Sequence, residues 1–369
     1  MRKIAKKSYS NWITYGIVIA AFVICQMMIS NGSMSRSMKG QLVPICCWVS
    51  MAVSLNLVVG ISGELSLGHA GFMSVGAFSG VVTSSWLLSA FGMENELLRM
   101  ILSMIVGGTL AGFAGVVIGI PVLRLRGDYL AIVTLAFGEI IRNVLNCVYI
   151  SVDGKNLNFG FLNPNLAGTL ILNGPNGASG IKKIATFNMG FVLVMLTLFV
   201  VLNLVNSRSG RAIKAIRDNR IAAEATGINT TKYRMMAFVT SAVLAGIAGA
   251  LYGLNFSSMV PGKFKFDQSI LVLVFVVLGG IGSIRGSVIA AAVLTILPEA
   301  LRKLMSVLQT VLPEALCKVL GDFDKYRMLV YAIVLILMML LTNNKRMIGM
   351  LNAFREKLQK KEQNGGASA

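Results

Sequence analysis

The stretch SRSGRAIKAIRDNRIAAEATGINTTKYRMMA, from Ser207 to Ala237, is a strongly basic segment between two strongly apolar ones. It carries seven Lys or Arg residues against two acidic residues, Asp218 and Glu224. Lys and Arg accumulate in the cytoplasmic loops of membrane proteins. The stretch therefore predicts a cytoplasmic loop between two transmembrane helices. The position of this loop sets the direction in which the other predicted spans cross the membrane.

The same stretch also has the pattern of a folded loop. Asn219 is a typical helix N-cap and Gly227 can end a helix in the left-handed conformation, which predicts a short helix over residues 220–226. Three apolar residues then follow one stripe at i, i+4 and i+7: Ile221, Ala225 and Ile228. Two interpretations stay open: a positive-inside loop with incidental helicity, or a helix that docks into a groove on a cytoplasmic partner.

The composition is that of an integral membrane protein. Of the 369 residues, 55% are hydrophobic and 13% are charged, and the mean hydropathy is +0.74. Ordinary soluble domains are less apolar and more highly charged. The net charge of +19 sits at the ends of apolar runs rather than in a basic stripe with interleaved aromatics, so we expect no nucleic-acid partner.

Apolar runs of about 20 residues, the length that crosses a bilayer, predict about ten transmembrane helices. They lie near residues 12–30, 41–60, 65–90, 97–120, 129–150, 187–205, 235–256, 268–285, 287–304 and 326–342. The first run follows a basic stretch but has no A-x-A-like cleavage site, so we interpret it as a span and not as a signal peptide. The distribution of Lys and Arg predicts that both termini are cytoplasmic.

Two glycine-rich sequences predict broken helices within the bundle. The sequence GISGELSLGHAGF, residues 60–72, places four glycines, two serines, a glutamate and the only histidine of the chain in an apolar region. Irregular backbone at membrane depth is tolerated where it is buried in protein or lines a cavity, so we expect a translocation pathway here. Its candidate residues are Gly63, Ser66, Gly68, His69 and Gly71. The second sequence, residues 279–286, lies at the boundary between two predicted spans, where two glycine-broken half-helices or a re-entrant pair would give the same pattern.

Two side chains in predicted spans could carry protons or charge. His69 could act as a proton relay, although a lone histidine is more often a hydrogen-bonded packing residue. Glu139 and Arg142 are three residues apart in one span, where they can neutralise each other. A structural pair and a pathway site are both open for them, and we include Glu139 among the pathway candidates.

Small residues recur at helix-packing spacing in LAGFAG, residues 110–115, and LAGIAG, residues 244–249. Such residues mark helices that pack closely against other helices in a membrane. The predicted topology runs the two copies in opposite directions, as in an inverted repeat, but chance and common packing needs explain so short a match nearly as well. The long outer segment, residues 151–186, is either a docking surface for an outside partner or a disordered connector.

Several motifs are absent from the sequence. It has no G-x-x-x-x-G-K-[ST] motif, so we expect ATP to be bound by partner subunits and not by this chain. It has no H-E-x-x-H motif, nucleophile elbow or Cys/His cluster, so we expect no catalytic residues, no metal and no cofactor, and no enzyme activity. The five cysteines include no C-x-x-C pair and mostly lie in apolar runs, which predicts neither a disulfide framework nor a metal site.

Five stretches in order resemble the branched-chain amino acid ABC transporter permeases of the LivH/LivM family, most closely the LivM type. They are LNLVVGISGELSLGHAGFMSVGAF (55–78), LRLRGDYLAIVTLAFGEIIRNVL (123–145), NGPNGASGI (173–181), SRSGRAIKAIRDNRIAAEATGIN (207–229) with FVTSAVLAGIAGALYG (238–253), and LGGIGSIRGSVIAAAVLTILPEALR (278–302). The resemblance implies a permease domain of residues 1–345, with a coupling loop at 206–234 and an outer loop at 151–186, followed by a cytoplasmic tail at 346–369. The outer loop looks longer than is usual for the family.

The resemblance also implies how such a chain works. The residues that match the family's EAA-like coupling segment, with the neighbouring arginine, are Arg217, Ala222, Ala223, Glu224, Ala225 and Gly227. The implied assembly contains a sister permease of LivH type, two ATPase subunits of LivG and LivF type, and an extracytoplasmic amino acid binding protein. It lies in the lipid bilayer of the bacterial inner membrane and imports leucine, isoleucine and valine.

Three other functions remain open at the level of the sequence. The same machine could carry urea, short amides or another small solute. A secondary carrier would need a membrane-embedded carboxylate, for which Glu139 is the candidate. A structural membrane scaffold is disfavoured by the glycine-broken helices.

Overall fold

The computed structural model describes residues 2–32, 34–125, 127–162, 166–311, 332–333 and 336. The helices are α1 (Arg2–Ser30), α2 (Arg36–Asn56), α3 (His69–Phe91), α4 (Glu96–Val122), α5 (Asp128–Cys147), α6 (Phe187–Asn206), α7 (Arg208–Asp218), α8 (Arg220–Ala225), α9 (Thr230–Gly253), α10 (Phe266–Gly279) and α11 (Ile284–Val311). The strands are β1 (Val148–Asp153), β2 (Asn156–Phe161), β3 (Thr169–Asn173), β4 (Ala178–Ser179) and β5 (Ser258–Met259).

The chain divides into two compact units, Met1–Thr295 and Ile296–Ala369. The first unit contains the features described below. In the second unit the structure describes the C-terminal part of α11, where Arg302 Nη2 donates to Glu299 Oε1 at 2.6 Å, and three further residues. The predicted cytoplasmic tail, residues 346–369, and Cys317 lie outside the described residues.

Eight helices in the described ranges are long and apolar enough to cross a membrane, which confirms the predicted polytopic helical bundle. They are Trp12–Ser30, Arg36–Ser62, His69–Phe91, Glu96–Val122, Asp128–Cys147, Phe187–Asn206, Thr230–Gly253 and Ile284–Lys303. The span predicted at 268–285 corresponds to α10, which has 14 residues. That helix is about 21 Å long, shorter than the hydrocarbon core of a bilayer. Of the span predicted at 326–342, only residues 332, 333 and 336 are described.

Local sequence sets where several helices begin. The side chains of Ser35, Asn95 and Asn229 accept hydrogen bonds from backbone N–H groups in the first turns of α2, α4 and α9. Ser and Asn are favoured at this position because their side chains satisfy N–H groups that have no partner within the helix. Each of these three residues therefore fixes the start of a span.

Helices α3, α4 and α9 pack together along glycines. A Cβ added at Gly107 would lie 2.9 Å from the Cβ of Ala250, and one added at Gly112 would lie 2.6 Å from Val243 Cγ2. Later residues of α4 thus contact earlier residues of α9, so the two helices are antiparallel. The close packing of the LAGFAG and LAGIAG sequences and their opposite directions are confirmed.

The segment after α5 forms an antiparallel sheet in the order β2-β1-β3-β4-β5. Gly154, with φ of 57°, lies in the two-residue turn between the first two strands. Residues after α9 supply β5, which pairs with β4. The interpretation of residues 151–186 as a disordered connector is wrong for the described part, because these strands are ordered by pairing. The span predicted at 129–150 is also too long, since α5 ends at Cys147 and the chain continues as β1.

Candidate functional site

The first break interrupts the path from α2 to α3. At Asn56 the α-helix gives way to a π-helical turn, Leu57–Ser62, and an irregular segment then leads to His69 at the start of α3. Gly63 has φ of 78°, a conformation that glycine adopts without strain. A π-turn within a membrane helix often marks a functional site. We call residues 57–68 the broken segment.

The second break, between α10 and α11, lies against the first. A Cβ added at Gly60 would lie 2.3 Å from the backbone nitrogen of Gly282, so the two backbones approach closely. The buried side chain of Asn56 connects both breaks, since its Oδ1 accepts from Gly282 N–H at 2.9 Å and its Nδ2 donates to Ser287 Oγ at 2.9 Å. The predicted interruption of residues 279–286 is thus confirmed, as a turn between α10 and α11.

The broken segment also packs against α5. The backbone N–H of Leu67 donates to Thr134 Oγ1 at 3.0 Å, and a Cβ added at Gly68 would lie 2.3 Å from the carbonyl oxygen of Thr134. One turn further, a Cβ added at Gly71 would lie 3.0 Å from the Cα of Gly138. The predicted pathway glycines therefore place the broken segment within van der Waals reach of α5.

A buried ion pair joins three elements beside this break. Arg234 on α9 donates through Nε to Glu64 Oε1, and its Nη1 donates to the carbonyl oxygen of Leu123 after α4 at 2.9 Å. The side chains of Arg234 and Glu64 are 7% and 8% exposed. Such a pair is costly to break because the charge left behind stays buried. It therefore holds the broken segment, α9 and the end of α4 together.

The basic loop folds into two short helices, α7 and α8. Asn219 Oδ1 accepts from the N–H of Ala222 at 3.0 Å, and Gly227 has φ of 81°, so the predicted caps are confirmed and the predicted helix ends one residue earlier, at Ala225. Helix α7 was not predicted. Its buried residues Ile213 and Ile216 lie three apart and fix it to the bundle.

The residues of the predicted coupling segment face different surroundings. Ile221 is 81% exposed and Ala225 is also exposed, so these two residues of the predicted stripe are left uncovered by the described part of the chain, whereas Ile228, beyond the end of α8, is half-buried. Ala223 is buried. Glu224 Oε1 accepts from Arg220 Nε at 2.9 Å and from Thr230 Oγ1 at 2.9 Å, which ties α8 to the start of α9.

Arg217, at the end of α7, is the coupling-segment residue that reaches the broken segment. Its Nη1 donates to the carbonyl oxygen of Gly60 at 3.0 Å. Its Nε and Nη2 donate to Asp218 Oδ1 at 3.1 and 2.9 Å, which fixes the plane of the guanidinium. The loop and the pathway segment predicted separately from the sequence are thus in direct contact.

Between them lies a cleft of about 680 Å³. It is lined by Ser62, Gly63, Glu64, Leu65, Gly127, Asp128, Leu130, Ile216, Arg217, Asp218, Asn219, Arg220, Ile221, Glu224 and Arg234. The lining combines the carboxylate of Glu64 in the broken segment with carboxylates and guanidinium groups of the basic loop, and it also includes the apolar side chains of Leu65, Leu130 and Ile221.

The remaining pathway candidates take part in packing and pairing. His69 is buried, and its Nε2 lies 2.8 Å from Ser54 Oγ on α2, which is the arrangement of a packing residue. Ser66 is buried too, and its hydroxyl has no hydrogen-bond partner among the residues that the structure describes. Glu139 Oε2 accepts from Arg142 Nε at 2.7 Å, while its Oε1 accepts from the backbone N–H of Phe266 at 3.2 Å.

The sequence analysis missed three residues of this site: Asn56, Glu64 and Arg234. The sequence shows Glu64 as a carboxylate in an apolar, glycine-broken region, and Arg234 as a cation directly before the span predicted at 235–256. Intramembrane charges usually have partners, which was the available signal for pairing them.

Comparisons with known proteins identify the family of the chain. The family described as "Branched-chain amino acid transport system / permease component" matches residues 38–339. The chain belongs to this family. The permease is 31% identical to the high-affinity branched-chain amino acid transport system permease protein LivM of Salmonella typhimurium over 358 residues, which cover 88% of this chain and 71% of the relative.

Two further relatives place this permease in a wider group. It is 32% identical to LivM of Escherichia coli K12 over 327 residues, with 79% of this chain and 66% of the relative covered. It is 28% identical to the ribose import permease protein RbsC of the same strain, with 80% of this chain and 82% of the relative covered. No solved structure matches the permease. It is therefore a multi-pass membrane permease of LivM type, whose relatives are transport proteins and not enzymes.

Proposed function

We propose that this permease is the LivM-type subunit of an ATP-driven importer that carries leucine, isoleucine and valine across the bacterial cytoplasmic membrane. The observation that carries the proposal is the contact of Arg217 in the basic loop with Gly60 in the broken segment, at 3.0 Å, in a chain of this family. Through this contact, a partner that moves the basic loop can also move the broken segment. Both termini and residues 206–234 are cytoplasmic in this proposal.

The proposed machine has no energy source in this chain. Two ATPase subunits of LivG and LivF type bind ATP and act on the loop around Glu224, and a sister permease of LivH type completes the pathway. An extracytoplasmic binding protein delivers the amino acid. The chain itself holds no catalytic residue, metal or cofactor in this proposal. The exposed Ile221 and Ala225 on α8 support a docking role, because an uncovered apolar stripe suits a partner's groove.

An apolar cavity supports a substrate with an aliphatic side chain. It has a volume of about 460 Å³ and lies between α3, α5 and the sheet. Its lining includes Val75, Phe78, Val82, Ile141, Val144 and Leu172. Such a lining suits the aliphatic side chain of leucine, whereas the ammonium and carboxylate groups of leucine, like the hydroxyl or amide groups of ribose or urea, would need hydrogen-bond partners outside it.

Glu139 gives little support to an ion-coupled carrier. Both of its carboxylate oxygens accept hydrogen bonds, from Arg142 and from the N–H of Phe266. A carboxylate that takes up and releases ions during transport has to exchange such partners.

Uptake of radiolabelled leucine tests the proposal. Cells without other branched-chain uptake would express the permease with its sister permease, its ATPase subunits and its binding protein. We expect ATP-dependent uptake that excess isoleucine and valine suppress, whereas urea and ribose do not. Deletion of residues 222–227 should abolish both uptake and co-purification of the ATPases. Uptake that persists after this deletion, or uphill transport by the chain alone in liposomes, would contradict the proposal.

A further inference from the structure

We propose that Arg217 is the positioning residue that transmits movement of the basic loop to both helix breaks. The inference rests on the proposed function, because the movement is attributed to ATPase subunits acting on the loop. The inference is based on the position of the Arg217 guanidinium between the end of α7 and the broken segment. The Nη1 of Arg217 donates to the carbonyl oxygen of Gly60, in the π-helical turn, at 3.0 Å.

The aliphatic part of Arg217 lies against the broken segment as well. A Cβ added at Gly63 would lie 2.6 Å from Arg217 Cγ and 3.3 Å from its Cδ. The bare backbone at Gly63 therefore leaves the space that the side chain occupies. The contact combines a charge-assisted hydrogen bond with close packing, so it can push as well as pull the segment.

The other end of the contact is fixed to the loop. Two nitrogens of Arg217 donate to Asp218 Oδ1, and a guanidinium held in this way keeps its planar orientation. Asp218 follows Arg217 directly at the end of α7, so the guanidinium stays with this end of the helix. A displacement of the end of α7 therefore displaces the guanidinium with it.

Gly60 passes the displacement to the second break. Its carbonyl oxygen lies 3.2 Å from the position of a Cβ added at Gly282, in the turn between α10 and α11. On the other side, Glu64 is held by Arg234, so the segment has a fixed point four residues from Gly60. A displacement of Gly60 therefore moves the backbone between Gly60 and Glu64, and it also moves the turn at Gly282.

The test is the number of leucine molecules transported per ATP hydrolysed by the complete complex in proteoliposomes. For Arg217→Ala we expect this ratio to fall by about tenfold, the size of effect expected from a lost hydrogen bond to a charged group, while the ATPase subunits stay attached. Arg217→Lys keeps the side-chain stem and the charge and should recover part of the ratio. Arg36→Ala is the matched control, since it removes an exposed arginine at the opposite end of α2 and should leave the ratio unchanged.

A structural role alone would change the amount or the melting temperature of the complex but not this ratio. An unchanged ratio in Arg217→Ala, with leucine transport by the unaltered complex, would overturn the inference alone. ATP hydrolysis without leucine transport in the unaltered complex would overturn the proposed function and the inference with it.

If Arg217→Ala loses its ATPase subunits, Arg217→Met replaces it as the test. This change keeps an apolar side-chain stem beside Gly63 and removes the hydrogen bond to Gly60. A lowered ratio supports the inference, and an unchanged ratio overturns it.

Discussion

Single residues decide how firmly the broken segment is held, and the buried pair of Glu64 and Arg234 is one such contact. We expect Glu64→Ala to lower the free energy of unfolding by about 3–5 kcal/mol, because Arg234 is then left charged and buried. Thermal or denaturant unfolding in detergent measures this. The matched control is Glu96→Ala, whose partner Lys182 is 3.9 Å away in an exposed pair and whose loss should cost less than about 1 kcal/mol.

The double variant Glu64→Leu with Arg234→Met separates the burial of charge from packing. Since an apolar replacement of a whole buried pair is often neutral, we expect it to recover much of the stability lost in Glu64→Ala. Equal losses for Glu64→Ala and Glu96→Ala would show that the buried pair contributes no more than an exposed one.

The roles of residues that act on the neighbouring backbone were predictable from the sequence, and contacts between residues far apart in the chain were not. Asn219 and Gly227 act through their own backbone and nearest turn, so their capping roles could be identified from residue type. Glu64 and Arg234 are 170 positions apart, and only the packing of α9 beside the broken segment brings them together. Arg99 was equally unforeseen: it is fully buried, and in the described residues its guanidinium has no hydrogen-bond partner.

Among the helices, the contact of α3 with α9 depends on glycine. A Cβ added at Gly76 would lie 2.0 Å from the carbonyl oxygen of Gly246, and backbone cannot yield as a side chain can. We expect Gly76→Ala to destabilise the bundle by about 1–3 kcal/mol or more through overpacking. The melting temperature in detergent is the measurement.

Gly40 offers the control for that change. It is exposed in α2, and an added Cβ would meet no atom within 4 Å in the described structure. Gly40→Ala should therefore stabilise its helix by up to about 1 kcal/mol, since alanine is the better helix former. A stable Gly76→Ala variant would mean that α3 and α9 separate more easily than their contact indicates.

The long helices could be predicted, because the length of each apolar run is visible in the sequence. The sheet could not be predicted. Its strands are short, β4 and β5 have two residues each, and the partner of β4 comes from a segment some 80 residues later. Helix α7 was not recognised because its four basic residues, which lie at exposed and half-buried positions, outweigh the two isoleucines that anchor it in the sequence pattern.

For the whole molecule, the sheet and the basic loop are separated by α6, a helix of 20 residues. Such a helix is about 30 Å long and matches the hydrocarbon core. We therefore expect the sheet to face outward and the loop to face the cytoplasm. Single cysteines at Lys155 and Arg208, in a background without the five native cysteines, test this with a membrane-impermeant maleimide.

The cysteine at position 155 should react in intact cells, and the one at position 208 only after permeabilisation. Both positions are exposed, so access to the reagent and not burial decides the result. The opposite labelling pattern would show that the predicted orientation is inverted and that the basic loop cannot contact a cytoplasmic ATPase.

The amide of Asn56 has a consequence for the transport cycle. Asn56 is the last residue of α2, and its side chain accepts from Gly282 after α10 and donates to Ser287 in α11. A rotation of that amide that frees one contact also disturbs the other. We therefore expect the end of α2 and the turn between α10 and α11 to move together.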